Sequence, residues 1–322
     1  MRLGILVSLI AVLPMAAWSA DSSSSPDRVE QQLLALRPGI AAVGSHDLLM
    51  ELDTKIAREQ GLQGHFDQAK ALLAKVAADL KPGESGARAQ YELELGRLMM
   101  TQGDPTGAVP HFQSALDLAK AAKRDAVAVD AATMLAVTAP NPGDQVAKGK
   151  VALKMAEDSS DPTAKGWVAS IWNNIGASYD EDHQYEEAFG AFTKSRAACA
   201  TDDCRRIADW KIAHVDRELG NLTQAQGLLD QLEKQWSMIG VRKGPSFDLG
   251  DGEDYVFEEL GEVHLALAKA DPAAAEKERK TAHAYFAKAN TAMLQAVGSA
   301  GAVAPLLRDQ RLRSEHLKQR VQ

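Results

Sequence analysis

The stretch Trp172-Asn173-Asn174-Ile175-Gly176-Ala177-Ser178-Tyr179, followed by Ala188 and Phe192, decides the fold. It sets a large aromatic, a small residue and a second aromatic four and three residues apart, with Ala and Phe nine and four residues further on. Spacings of three and four place side chains on one face of a helix. A small residue on that face lets a second helix approach closely, and the phenylalanine fills the space towards whatever packs next. The stretch therefore reads as a helical hairpin too thin to bury its own apolar face, one that needs neighbours.

The neighbours are in the chain. Gly64…Ala69…Leu73 precedes a good match, Leu95-Gly96…Gly103…Ala108…Phe112…Ala115. A weaker Leu135…Gly143…Ala147…Val151 follows, and beyond the opening stretch come Gly220…Ala225…Leu229 and Phe257…Leu260-Gly261, resumed at Ala282…Phe286…Ala289. The aligned alanines 69, 108, 147, 188, 225 and 282 lie 39, 39, 41, 37 and 57 residues apart. The period is near 40, and the last interval carries an insertion, expected at Val241 to Asp254 and at Ala268 to Lys280.

The pattern W-x2-[LI]-G-x2-Y…A-x3-F resembles the tetratricopeptide repeat, a helix–turn–helix unit with a usual period of about 34 residues. The longer period is similar to that of the kinesin light chain relatives, whose Asn-Asn-[LI] helix Trp172 to Tyr179 also resembles. The resemblance covers roughly residues 47–295. It implies an all-α solenoid, a right-handed superhelix of antiparallel helix pairs, with about six units over residues 47–300. Residues 301–322 form a basic amphipathic segment with Arg308, Arg311, Arg313, Lys318 and Arg320, expected to be a helix that caps the last unit. Contact of that helix with a partner or a membrane surface is the other reading.

Composition agrees with an all-α chain. Hydrophobic residues make up 45% but aromatics only 5%, so much of the apolar content is Ala and Leu, good helix formers. The first 20 residues read as a signal peptide: Arg2, an apolar run from Leu3 to Leu13, Pro14, then small residues up to Ala20. Residues 21–46 are expected to be a Ser-rich linker and a short helix, Asp27 to Leu36, ending near Arg37-Pro38-Gly39. No cysteine follows the apolar run, so a lipid anchor is not expected, and a periplasmic or secreted location is. A formal net charge of −8 argues against a nucleic-acid partner. Cys199 and Cys204, a close even pair in an exported chain, favour a disulfide over free thiols. A metal would need further ligands nearby, and no cofactor is expected.

A search for catalytic arrangements finds no nucleophile elbow, zinc helix, phosphate loop or dinucleotide fingerprint. The acidic loop Asp248 to Asp254 does not have the spacing of a calcium loop. What remains is the groove that the resemblance implies. There the second, fifth, sixth and ninth residues of each first helix face inward, counting Trp172 as the fourth, which selects Ser170, Asn173, Asn174 and Ala177. Asn174, at the sixth position, matches the family residue whose amide hydrogen-bonds the backbone of an extended peptide. Lys55, Glu94, Thr133, Lys211 and Glu259 stand there in the other units. The same register adds Arg58, Arg97, Trp210 and His214 as candidates, and Glu258 and Glu262 near the end. The resulting groove is expected to be basic near its start and acidic near its end. It resembles the carboxylate-binding clamp of chaperone-associated repeats without its full pattern.

The functional expectation is a non-catalytic adaptor that binds a protein or peptide in its groove. The alternative is a scaffold of envelope assembly that uses its convex face or its tail, and an enzyme site in residues 241–280 is a remoter one. Asn174→Ala combined with Arg97→Ala is expected to weaken partner capture with little change in melting temperature.

Overall fold

The computed structural model describes residues 26–239 and 252–298 and, from the tail, residues 313, 316, 317, 319 and 320. The signal peptide, the serine linker and most of the 241–254 insertion and of the tail lie outside the described residues. Among the described residues all regular structure is helical: α1 (Pro26–Val43), α2 (His46–Leu62), α3 (Phe66–Asp79), α4 (Ser85–Thr101), α5 (Pro105–Ala121), α6 (Asp125–Val137), α7 (Pro142–Asp158), α8 (Pro162–Lys165), α9 (Val168–Glu181), α10 (Tyr185–Ala198), α11 (Asp202–Glu218), α12 (Leu222–Ile239), α13 (Glu253–Ala270) and α14 (Ala275–Gly298). Six pairs follow the expected units: α2–α3, α4–α5, α6–α7, α9–α10, α11–α12 and α13–α14. The single-turn α8 lies between the third and fourth.

Some helices begin at a side-chain cap. Asp104 and Asn141 accept hydrogen bonds from the amides of Gly107 and Asp144, with Pro105 and Pro142 in the first turn. Thr201 accepts from the amide of Cys204 at the start of α11. The turn inside a unit needs a left-handed residue five positions before the buried alanine. Gly103 supplies it at φ 89°, whereas the fourth unit uses His183 at φ 57°.

The alanine and phenylalanine pattern is the packing code. Ala108, Phe112 and Ala115 are fully buried, as are Ala282, Phe286 and Ala289. A Cβ built on Gly96 would lie 2.6 Å from Phe112 Cε1, and one on Gly261 would lie 2.6 Å from Phe286 Cε1, so these rings lie against bare backbone.

The third unit departs from the sequence alignment. Ala147 is exposed, while Gly149, Leu153 and Ala156 are buried at the spacing of Ala108, Phe112 and Ala115. A Cβ at Gly149 would lie 2.8 Å from Ile175 Cγ1, so the close-contact residue of this unit is glycine. The second helices are then 39, 41, 39, 37 and 57 residues apart.

The N-terminal helix also exceeds its expected length. α1 runs through Pro38 to Val43. Ile40, beyond the proline, is buried with Val29, Leu33, Leu52 and Ile56, and Arg37 pairs with Asp53 at 2.8 Å. Burial of Ile40 and the Arg37–Asp53 pair offset the backbone hydrogen bond that the proline forfeits, at least in part.

The chain divides into two compact units, one ending at Ser178 and the other starting at Tyr179, with the division inside α9. In the first unit α2 packs on α3 and α4, and α4 packs on α5 and α6, so the first helices of successive pairs are neighbours. In the second, α11 packs on α12 and α13, and α13 packs on α14. Cys199, the C-cap of α10, and Cys204, in the first turn of α11, are joined in a disulfide with their Cα atoms 5.5 Å apart. It closes the connection between the fourth and fifth pairs.

Candidate functional site

The sixth-position residues are more deeply placed than a solvent-lined groove would have them. Lys55, Glu94, Thr133, Lys211 and Glu259 are all buried, and Asn174 is half-buried. Burial of charge at this density requires partners. The structure supplies them within each unit, and the two units are described in turn.

In the first unit Glu94 of α4 is the hub. Its Oε1 accepts from Gln90 Nε2 at 2.8 Å and from Arg97 Nη1 at 3.0 Å. Arg97 also hydrogen-bonds Asp130 of α6, so α4 and α6 are joined by a buried ion pair. The Arg58 guanidinium of α2 lies 3.7 Å from the same Glu94 oxygen, beyond hydrogen-bond distance. Glu51 of α2 pairs with Arg124, at the start of α6, at 2.7 Å, reaching past the intervening pair of helices. Gly86 leaves the passage open: a Cβ there would stand 3.1 Å from Arg124 Nη1.

The electrostatics follow from burial. Lys55 loses solvation and is lowered to about 8 although Glu51 and Glu94 oppose the change. Burial also lowers Arg58, with nearby Arg97 adding to the effect. Burial pulls Arg97 down, but Asp130 and Glu94 reverse it and the net direction is up. Glu59 of α2 is raised to about 7 by burial. The cations expected at a basic groove entrance are thus set against carboxylates of the same unit. At the end of this unit, Asn174 has its side-chain amide nitrogen cut off from solvent with no hydrogen-bond acceptor. Its neighbour Asn173 is half-buried.

In the second unit the equivalent positions form a mixed aromatic and ionic wall. Trp210 donates its indole N–H to the Tyr255 carbonyl at 2.9 Å and stacks on His214 with ring centroids 5.6 Å apart. His214 meets Glu259 of α13 through Nδ1 at 3.0 Å and Asp180 of α9 through Nε2 at 3.5 Å. With a carboxylate at each nitrogen, the imidazole is held as the cation. Burial pulls it down, yet Asp180 and Glu259 raise it to about 10. Burial pushes Glu259 up, and His214 and Arg217 overcome this, leaving it lowered. The Lys211 ammonium lies 5.7 Å from the Phe192 ring centroid.

The candidates thus fall into two sets. Lys55, Arg58 and Arg97 are brought together around Glu94, while Trp210, Lys211 and His214 share one helix and one face. Sequence reasoning missed Glu51, Asp130, Asp180, Arg124 and Arg217. The one available signal was opposite charge at equivalent positions of adjacent first helices, as in Lys55 and Glu94. Among the described residues no group of three or more His, Cys, Asp or Glu side chains could hold a metal ion, and no helix is long and apolar enough to cross a membrane.

No family model matches the chain, and no curated relative matches it in sequence. Solved structures do share its architecture. BtubC (BKLC) from P. vanneervenii superposes with a TM-score of 0.54 at 15% identity, over 70% of this chain and 96% of that one. A signal transduction ATPase with a tetratricopeptide repeat sensor, from Pyrococcus horikoshii, gives 0.58 at 13% identity over 94% of this chain and 48% of its own. A Rap protein complexed with Competence and Sporulation Factor gives 0.53 at 14% identity, over 84% of this chain and 77% of that one. At these identities the likeness speaks for the fold, an all-α helical repeat of the tetratricopeptide type.

Proposed function

We propose that this tetratricopeptide-repeat protein is an exported, non-catalytic adaptor that holds a protein or peptide segment against the first helices of its repeats. The observation that carries the reading is Asn174. It is half-buried, at the register position where an amide can bond a peptide backbone, and its amide nitrogen has no acceptor in the folded chain. An amide left unpaired within the protein gains a carbonyl acceptor when its side chain turns to meet an extended segment, which removes the cost of the unmade bond. Several charges on the first helices are paired within the protein, as Arg97 is with Asp130 and His214 with Glu259, which leaves the amide as the group free to recognise a backbone. Export is supported by the apolar N-terminal run and by the Cys199–Cys204 bridge, a bond that persists in oxidising compartments.

The test is crosslinked affinity capture from the native envelope with the parent chain and with Asn174→Ala. The variant is expected to keep its melting temperature and lose the captured partner. Equal recovery of the same crosslinked species by both chains would remove the inner face from consideration.

A further inference from the structure

The carboxylate-bearing face of α13 is already occupied. Arg313 of the tail donates from Nη1 to Asp254 Oδ2 at 2.6 Å and from Nε to Glu258 Oε2 at 2.6 Å. Its guanidinium carbon lies 3.7 Å from the Tyr255 ring centroid. Leu317 is fully buried among Ala282, Phe286, Ala289 and Met293. Arg320 pairs with Glu262 and lies 4.9 Å from the Phe286 ring centroid. Residues 313, 317 and 320 are helical and share one face, while His316 and Gln319 on the same helix are exposed. They meet Asp254, Glu258 and Glu262, a stripe of carboxylates one turn apart along α13. Tyr255, under Arg313, packs edge-on against Trp210, so this contact is continuous with the inner wall of its unit.

Among the described residues the tail contributes one buried aliphatic side chain and two arginines, and the outer pair is 31% exposed at Arg320 and 27% at Glu262. A contact tethered to the body it occupies is held by high effective concentration and yields to a competitor of the same chemistry. We infer that the α13–α14 face is a docking site for a basic amphipathic helix of a partner protein, read as Arg-x3-Leu-x2-Arg. In this inference the chain's own tail is its resident, displaceable ligand. Three carboxylates supply charge complementarity, and the Phe286–Met293 pocket takes the leucine. A partner helix that displaces the tail would also open the end of the inner face at Tyr255 and Trp210. The inference does not depend on Asn174, so it can fail while the proposed function stands, and the reverse.

The probe is a fluorescent peptide of residues 304–322, titrated by anisotropy against the full chain and against the full chain carrying Leu317→Asp. The released chain is expected to bind the peptide at least tenfold more tightly than the parent chain. Adding Glu258→Lys to it, or placing Leu317→Asp in the peptide, is expected to abolish binding. Circular dichroism confirms that each variant is folded. Arg320→Glu, a milder release at the exposed end, replaces Leu317→Asp if that chain aggregates. The inference is overturned if the released, folded chain gains no affinity, or if Glu258→Lys leaves binding unchanged. Equal binding by the parent chain overturns it too, because the tail would not then reside in cis. So does failure of both release variants to fold, which would make the tail a structural element.

Discussion

His214 and Glu259 are joined at 3.0 Å, a contact that ties α11 to α13 and makes an imidazolium part of a buried wall. The folded ring titrates near 10, against an ordinary value of 6.5. The stabilisation is therefore fully present below pH 6.5 and lost as pH rises through about 10. His214→Gln, which cannot carry the charge, is expected to be about 3–5 kcal/mol less stable than the parent at pH 6. The difference should close as the pH approaches 10. Urea unfolding of both chains at pH 6, 8 and 10 measures it, and a gap independent of pH would contradict the assignment.

Arg97 cannot serve as a clean binding probe. Its removal strands Glu94 and Asp130 as buried carboxylates, and Arg97→Ala is expected to destabilise the chain by about 3–5 kcal/mol. The sequence alone suggested that a variant including Arg97→Ala would keep its melting temperature, and the pairing with Asp130 reverses that expectation. Arg97→Ala together with Asp130→Ala and Glu94→Gln should recover part of the loss. Thermal unfolding of the single and triple variants decides, and no recovery would mean that the ion pairs contribute nothing.

Glycine at the helix crossings is a packing requirement. Gly96→Ala forces a methyl group to within 2.6 Å of Phe112, whose ring is fully buried. Overpacking should cost about 1–3 kcal/mol, more than the gain of at most about 1 kcal/mol in helix propensity. Gly190→Ala, with nothing within 4 Å of the added Cβ, should be neutral or stabilising by about 1 kcal/mol. Denaturant midpoints of the two variants should move in opposite directions.

The Cys199–Cys204 bridge closes a short loop. In the chain-entropy account, removing it as Cys199→Ala with Cys204→Ala should cost about 2 kcal/mol. The expected result is a lower melting temperature with unchanged helicity. An unchanged melting temperature would mean the bridge constrains little beyond what Thr201 already caps.

Most of the fold was legible because close helix crossings demand small residues at fixed spacing. Ala108 with Phe112 and Ala188 with Phe192 carry that demand openly. The third unit hid it, since Gly149 satisfies the same steric limit and an alignment on alanine passes it by. The candidate site was legible in its register and not in its pairing. Arg97 and Asp130 are 33 residues apart, and Glu51 and Arg124 are 73 apart, so which charges meet depends on how successive helices pack. Leu317 gave no signal as an occupant, because an amphipathic tail reads alike whether it covers a core or fills a site.

The pairs Glu51–Arg124, Arg97–Asp130 and His214–Glu259 share a further property. Each joins first helices of different repeats, and each is a different combination of residues. Modules that share one packing code can stack in the wrong sequence, or exchange with those of another copy, at little cost in apolar burial. Buried charge makes mismatches expensive, because a repeat placed beside the wrong neighbour faces a like charge or none. Within each compact unit these pairs thereby favour one order of repeats over another, the correct arrangement being the one in which each buried charge meets its opposite.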